Sequence, residues 1–244
     1  MRMTSILLAL ATVAALGTTA AQATPINYVS NGGFESTSGG SGKLSTSAGD
    51  TTLSNWTVTG YTYLFNAGNV DTTGSGSNKL TLWGPNDGSA NGLGASQDGG
   101  NFVGADGNYY AGTLSQTLTG LTIGQTYNLT FDWAGAQQAG FTGTNSAMFW
   151  STVFGGVTQN TASISLDSKG FSGWMQQTFQ ITATSTSQAL TFLANANVKG
   201  APPFLLLDGV SVTAVPEPGT WALMLGGLGA IAWLARRRRN STQA

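Results

Sequence analysis

Thr126-Tyr127-Asn128-Leu129-Thr130-Phe131-Asp132 alternates polar and apolar side chains for seven residues. Successive side chains of an extended chain point to opposite faces, so this run reads as a half-buried β-strand with Tyr127, Leu129 and Phe131 turned to a core. Leu121-Thr122-Ile123-Gly124-Gln125, just before it, reads as a turn with Gly124 at a positive φ. Downstream, Trp174-Met175-Gln176-Gln177-Thr178-Phe179-Gln180-Ile181 alternates in the same way. Leu205-Leu206-Leu207 is apolar on both faces and suits a central strand. Eight further β-rich runs complete the pattern: 56–59, 61–65, 79–83, 102–105, 113–118, 147–154, 162–166 and 189–194. Between residues 24 and 215 there is no long 3.6-residue period and no repeat of 20 to 50 residues. Short strands punctuated by Gly, Asn, Asp and Ser predict an all-β body, a jelly-roll β-sandwich over residues 24–214. Residues 36–50 and 84–100 are rich in Gly, Ser and Asn and are expected to be mobile surface loops.

Composition narrows the chemistry. Of 244 residues only 8 % are charged, 35 are Gly, and none is His or Cys. That excludes imidazole acid–base chemistry, Ser-His-Asp and Cys-His nucleophiles, His/Cys zinc sites and disulfides. Five of the nine basic residues are Arg2 and Arg236 to Arg239. The body between the ends holds four lysines against nine acids, a net charge of −5. Such a body offers no electrostatic footprint for nucleic acid.

Both ends read as addresses. Arg2, the apolar stretch Ile6 to Leu16 and Ala21-Gln22-Ala23 form a secretory signal peptide over residues 1–23, cut by signal peptidase before Thr24. At the other end Val215-Pro216-Glu217-Pro218-Gly219-Thr220 precedes an apolar run, 221–235, and then four arginines. As a helix the run would be about 22 Å long, short of the ~30 Å hydrocarbon core. Interfacial Trp221 and Trp233 and snorkelling arginines close part of that gap. Positive flanks stay cytoplasmic, so the body lies outside an inner membrane that the tail crosses transiently.

Pro216, Glu217, Pro218, Trp221 and Ala222, with Arg236, Arg237, Arg238 and Arg239, resemble the bacterial PEP-CTERM sorting tail in its PEP-x-x-W-A variant, over residues 215–239. The resemblance implies processing by an exosortase, a membrane transpeptidase that cuts near the tripeptide. It also implies release to the cell envelope or extracellular matrix of a Gram-negative bacterium that makes exopolysaccharide.

The body carries a second, more diffuse resemblance. Asn31-Gly32-Gly33-Phe34-Glu35, Trp56-Thr57-Val58, Leu114-Ser115-Gln116-Thr117-Leu118, the turn into Tyr127, Gly173-Trp174 and Leu207-Asp208-Gly209-Val210-Ser211-Val212 occur in that order. Together they are similar to carbohydrate-binding-module-like and galactose-binding-like jelly rolls. In those modules a Glu in the first motif and an Asp in the last often hold a structural calcium, which implies Glu35 and Asp208 here. Ca²⁺ takes six to eight oxygens, which carboxylates and loop carbonyls supply. The alternative is that the two acids bond turn amides where the terminal strands pair. No other cofactor is required.

Aromatic faces stack on the C–H faces of pyranose rings, so the tryptophans and tyrosines are the candidate sugar contacts. Trp56 and Trp174 occupy motif positions that look structural. Trp83, Tyr109, Tyr110, Trp133 and Trp150 remain as carbohydrate-binding candidates, each also a core candidate. Tyr109 and Tyr110 stand out, because adjacent strand residues face opposite sides and one therefore points outward. Catalysis by a carboxylate pair would draw on Asp98, Asp106 and Asp132, but Asp98-Gly99 and Asp106-Gly107 read more simply as turns. The expected function is that of a secreted, non-enzymatic envelope or matrix protein in contact with polysaccharide. The alternatives are a purely structural surface protein and a glycan-active enzyme.

Mass spectrometry of the secreted protein is expected to show a start at Thr24 and loss of everything from about Pro218 onward. Extracellular material that keeps Arg236 to Arg239 would overturn the sorting assignment.

Overall fold

The computed structural model describes residues 25–45, 47, 50–74, 76, 79–215, 224–233 and 236. Residues 1–23, the tripeptide at 216–218, Trp221, Ala222 and Arg237 to Arg239 lie outside the described residues. The strands in chain order are β1 Gly42–Lys43, β2 Thr57–Thr59, β3 Thr62–Asn66, β4 Thr72–Thr73 and β5 Leu80–Thr81. They continue with β6 Asn101–Asp106, β7 Thr113–Thr119, β8 Thr126–Gln137, β9 Thr144–Phe154 and β10 Val157–Asn160. The last four are β11 Ile164–Leu166, β12 Met175–Thr182, β13 Ser187–Lys199 and β14 Pro203–Ala214.

One six-stranded sheet runs β1-β3-β6-β14-β8-β12, and the facing sheet runs β10-β9-β13-β7-β2 with β11 also on β9. All strand pairs are antiparallel. From β6 to β9 and again from β12 to β14 the chain crosses from one sheet to the other at every step, which makes the body a jelly-roll sandwich. Every strand read from the sequence is present. The Gly124 turn has φ +82°, and Gln125 N–H donates to the Thr122 carbonyl at 3.1 Å.

Tyr127, Leu129, Phe131 and Trp133 face the core between the sheets, with Leu205, Leu207, Leu114, Leu118, Trp150 and Phe192. Beyond Phe131, however, β8 is buried on both faces through Gln137. A second cluster lies on the outer side of the first sheet, where Tyr63, Phe65, Phe102, Phe204 and Leu206 meet Leu80, Leu82 and Leu93. The segment of residues 70–93, together with Phe171 and Trp174, therefore covers the sheet as a third layer. Gly104 is required there, because a Cβ would stand 2.9 Å from the Phe65 ring and 3.1 Å from Leu206. The expected surface loops are correspondingly corrected. Leu44 in the first is buried, and Leu93 and Ser96 in the second are buried against the sheet.

Residues 224–233 are helical, exposed throughout, and part of neither core. Among the described residues no helix is long and apolar enough to cross a membrane. Both cores lie wholly within residues 29–212, so the body carries its own folding determinants.

Trp56 closes one end of the inner core. It packs on Phe34 and Phe192, and its indole N–H donates to the Asn31 carbonyl at 2.9 Å. Trp56→Ala is expected to cost about 3 to 5 kcal/mol in chemical denaturation of residues 24–215, through the cavity it leaves, while the Asn31 carbonyl keeps the Phe34 N–H. A loss under about 1 kcal/mol would show that this end of the core collapses around the gap.

Candidate functional site

The Asp106-Gly107-Asn108 sequence at the end of β6 makes a turn, not the strand expected for the two tyrosines after it. The Asp106 carboxylate, only 4 % exposed, accepts the backbone N–H groups of Asn108 at 2.8 Å and of Tyr109 and Tyr110 at 3.3 Å each. Asn108 in turn donates its amide to the Ala196 carbonyl at 2.9 Å. The turn is thus pinned from inside, and both tyrosines point outward, 59 % and 65 % exposed. That corrects the reason given for their exposure: neither is a strand residue, so neither is forced inward.

Tyr61, between β2 and β3, joins them. Its ring stacks on Tyr110 with centroids 5.2 Å apart and planes at 23°, and its N–H donates to the Tyr110 carbonyl at 2.9 Å. Behind it Tyr63 lies 5.9 Å away, and Phe204 lies 6.3 Å beyond Tyr63. An aromatic run therefore emerges from the outer core onto the surface as a shelf of Tyr61 and Tyr110, with Tyr109 beside it. Burial pushes the Tyr63 hydroxyl up to about 12, helped by Tyr61, Asp50 and Asp106, so that ring stays neutral. Lys43 stands 5.9 Å over the Tyr61 ring and is paired with Asp50 at 3.9 Å. Tyr61 escaped the sequence reading. Its only local signal was the Tyr61-Thr62-Tyr63 alternation, and its partner lies far along the chain.

The other aromatic candidates do not reach the shelf. Trp150 is fully buried, donating its indole N–H to the Leu206 carbonyl at 3.0 Å, and Trp133 is buried in the inner core. Both leave the sugar-contact set, because no face is open to a ligand. Trp83 is half-buried and acts as a clasp. Lys169 sits 4.4 Å over its ring, and its N–H donates to the Phe141 carbonyl at 2.8 Å.

The acids gather at the opposite end of β6. Glu35 accepts the Asn101 N–H at 2.5 Å. Asp208 accepts the Ser96 hydroxyl and the Gly209 N–H, the latter at 2.8 Å. Each carboxylate thus accepts hydrogen bonds from donors of its own. Among the described residues no three acidic side chains form a group able to hold a metal ion. Burial pushes Asp208 up to about 8, with Asp98 and Glu35 adding to the rise against the two hydrogen bonds. Burial also raises Asp132, with Asp98 adding, while its Gln176 bond opposes. Of the carboxylates considered for catalysis, Asp106 is occupied by the tyrosine turn and Asp132 is buried. No acid lines the groove of about 540 Å³ bounded by Tyr28, Asn55, Thr57, Ser115 and Thr119.

A carboxyl that binds its proton more tightly folded than unfolded stabilises the protein at low pH. For Asp208 that contribution is complete below the ordinary carboxylate value of 3.8 and is lost as pH rises through about 8. The urea midpoint of metal-free protein is therefore expected to fall across that window, and Asp208→Asn to flatten the fall. A calcium ion shared by Glu35 and Asp208 predicts something else. Calcium at a hundred times its Kd would add about 2.7 kcal/mol, and chelator would remove it. A melt unchanged by calcium and by chelator ends the calcium expectation.

No curated protein matches the chain. Among solved structures it is similar to TmCBM61 in complex with β-1,4-galactotriose, at 15 % identity and TM-score 0.43, over 78 % of this chain and 99 % of that one. It is also similar to the enzymatically active domain of bacteriophage CBA120 tailspike protein 4, at 17 % identity and TM-score 0.36, over 78 % of this chain and 22 % of that one. A third is the family 11 carbohydrate-binding module from Clostridium thermocellum, at 13 % identity and TM-score 0.29, over 73 % and 98 %. The fold stands on the sheet order and the two cores, independently of these likenesses. Residues 214–239 match the PEP-CTERM protein-sorting motif, so the chain is an exported protein with an exosortase sorting signal.

Proposed function

We propose that the body is a non-catalytic binding domain for neutral polysaccharide, delivered by its tail to the envelope or matrix. The observation that carries this reading is the shelf of Tyr61 and Tyr110, with Tyr109 exposed beside it. Exposed aromatic rings bind the C–H faces of sugars, and the Asp106 turn fixes the backbone that carries Tyr109 and Tyr110, which lowers the ordering cost. The charge around the shelf selects the class of glycan. Lys43 is paired with Asp50, Asp106 lies beneath, and the body has a net charge of −5. An acidic polymer would meet like charge, whereas a neutral one meets none. The absence of His and the turn-bound Asp106 support a binding rather than a catalytic reading.

Affinity electrophoresis of residues 24–215 in dextran, galactan and mixed-linkage β-glucan tests the proposal, with alginate as the acidic control. Retardation is expected in a neutral polymer and not in alginate. Tyr110→Ala and Tyr61→Ala are expected to weaken it about tenfold, roughly 1.4 kcal/mol each, while the melting temperature barely moves. Tyr109→Ala is expected to have the smaller effect, since its ring is outside the stack. If all three variants bind as the wild type does, or the wild type binds none of the polymers, the reading fails and a purely structural surface role takes its place.

A further inference from the structure

A second polar feature lies along the edge of the facing sheet. β2 pairs with β7 only at Thr113 to Ser115, so among the described residues the rest of β7 has no strand beside it on that side. The gap is a groove of about 540 Å³, within the usual range of ligand sites. Its lining holds no charged residue: Thr57, Ser115, Thr117 and Thr119 supply hydroxyls, Asn55 an amide, and Tyr28 a half-exposed ring. Its floor is fixed. The Gln116 amide both accepts from the Ser30 N–H and donates to the Ser30 carbonyl, each at 2.8 Å, a side-chain substitute for the missing ladder. Tyr28 is held edge-on against Tyr127 at 5.1 Å. Hydroxyls that recur about 6.8 Å apart along one strand, beside an aromatic ring, suit a polyhydroxylated and uncharged ligand.

The Tyr28 end of the groove and the tyrosine shelf stand at opposite ends of β14. Phe204, at its start, backs the shelf through Tyr63, while Val212, near its end, accepts the Tyr28 N–H at 2.9 Å. Eight residues of strand place the Tyr28 end of the groove ~25 Å from the shelf, while its near lip, Thr57 and Ser115, lies four residues from Tyr61 and five from Tyr110. We infer that the groove is a second neutral-glycan site, and that the body is therefore a two-site cross-linker of polysaccharide chains. The shelf half of this inference rests on the function proposed above, whereas the groove half rests on its own lining. Two sites that engage different polymer chains bridge them. Two sites on one strand raise avidity, by a factor on the order of a hundred or more when the geometry permits.

Light scattering and viscosity of dextran, galactan and mixed-linkage β-glucan mixed with residues 24–215 separate these outcomes, with affinity electrophoresis run in parallel. The groove is filled by Thr117→Gln with Thr119→Gln, both exposed positions, and separately emptied of its amide by Asn55→Gly, at φ +67° where Gly is unstrained. Wild type is expected to raise scattering and viscosity with increasing protein and to lose the effect at protein excess, when every site is singly occupied. The filled-groove variant and Tyr110→Ala are each expected to retain electrophoretic binding, reduced about tenfold or more, and to lose bridging. Asn55→Gly is expected to weaken bridging without moving the melting temperature. If both groove variants bridge as the wild type does, or the wild type binds through the shelf without bridging, the cross-linker is overturned and the shelf reading stands. A wild type that binds none of the polymers overturns both.

Discussion

Burial of β14 on both of its faces is the constraint on which the rest of the molecule depends. Leu205 and Leu207 fill the space between the sheets, while Phe204 and Leu206 point the other way. Each such side chain is worth about 1.5 to 3 kcal/mol only if water is excluded from it. A two-layer sandwich would leave the outward pair wet. The chain answers with residues 70–93, which contribute Leu80, Leu82 and Leu93 to the outer cluster. That layer has little regular structure of its own, so side chains tie it down. Asp71, fully buried, accepts the Asn86 N–H at 2.7 Å and its amide at 2.6 Å. Asn91 donates to the carbonyls of Trp83 and Lys169, and Trp174 donates to Gly94. The Trp83–Lys169 clasp belongs to the same fastening.

Polar amides and hydroxyls take the place that ion pairs hold in most proteins. Lys43–Asp50 is the one salt bridge among the described residues. Carboxylates are used instead as acceptors for backbone N–H groups, at Glu35, Asp71 and Asp106, where a charged acceptor roughly doubles the strength of the bond. The consequence is a surface whose cohesion depends little on salt. Asp208 and Asp132 are the exceptions, because burial outweighs the bonds they accept and their charge is disfavoured.

The strands were legible because a period of two survives wherever one face is wet. The same period placed Trp133 in register with Tyr127, Leu129 and Phe131, and Trp150 in register with Met148 and Phe154, so their burial was implicit in the pattern. The outer layer was not legible. Leu80, Leu82 and Leu93 sit among Gly, Asn and Ser without period, and nothing local says that they meet Phe65 and Phe102. The two-residue strands β1 and β4 and the four-residue β10 are equally silent, being defined by their partners rather than by their own residues. At the shelf, Asp106-Gly107-Asn108 announced a turn, but the stacking of Tyr110 on Tyr61 joins segments about fifty residues apart. Such pairing is a property of topology, not of spacing.

That topology also relates the two ends of the body to its tail. β14 carries the chain from the shelf end to the groove end and leaves the sandwich at Val215, whose N–H and carbonyl are held by Thr126 and Gln125. The sorting motif therefore begins at the pole of Tyr28 and Thr119, the pole opposite the tyrosines. β14 is paired with β8 over most of its length and with β6 from Phe204 to Leu207. Exposed tyrosines are tolerable at such a position because each hides part of its ring on a neighbour: Tyr110 on Tyr61, and Tyr61 on Tyr63. The stack reduces the exposed apolar area, and the Asp106 carboxylate accepts the three backbone N–H groups that order the turn.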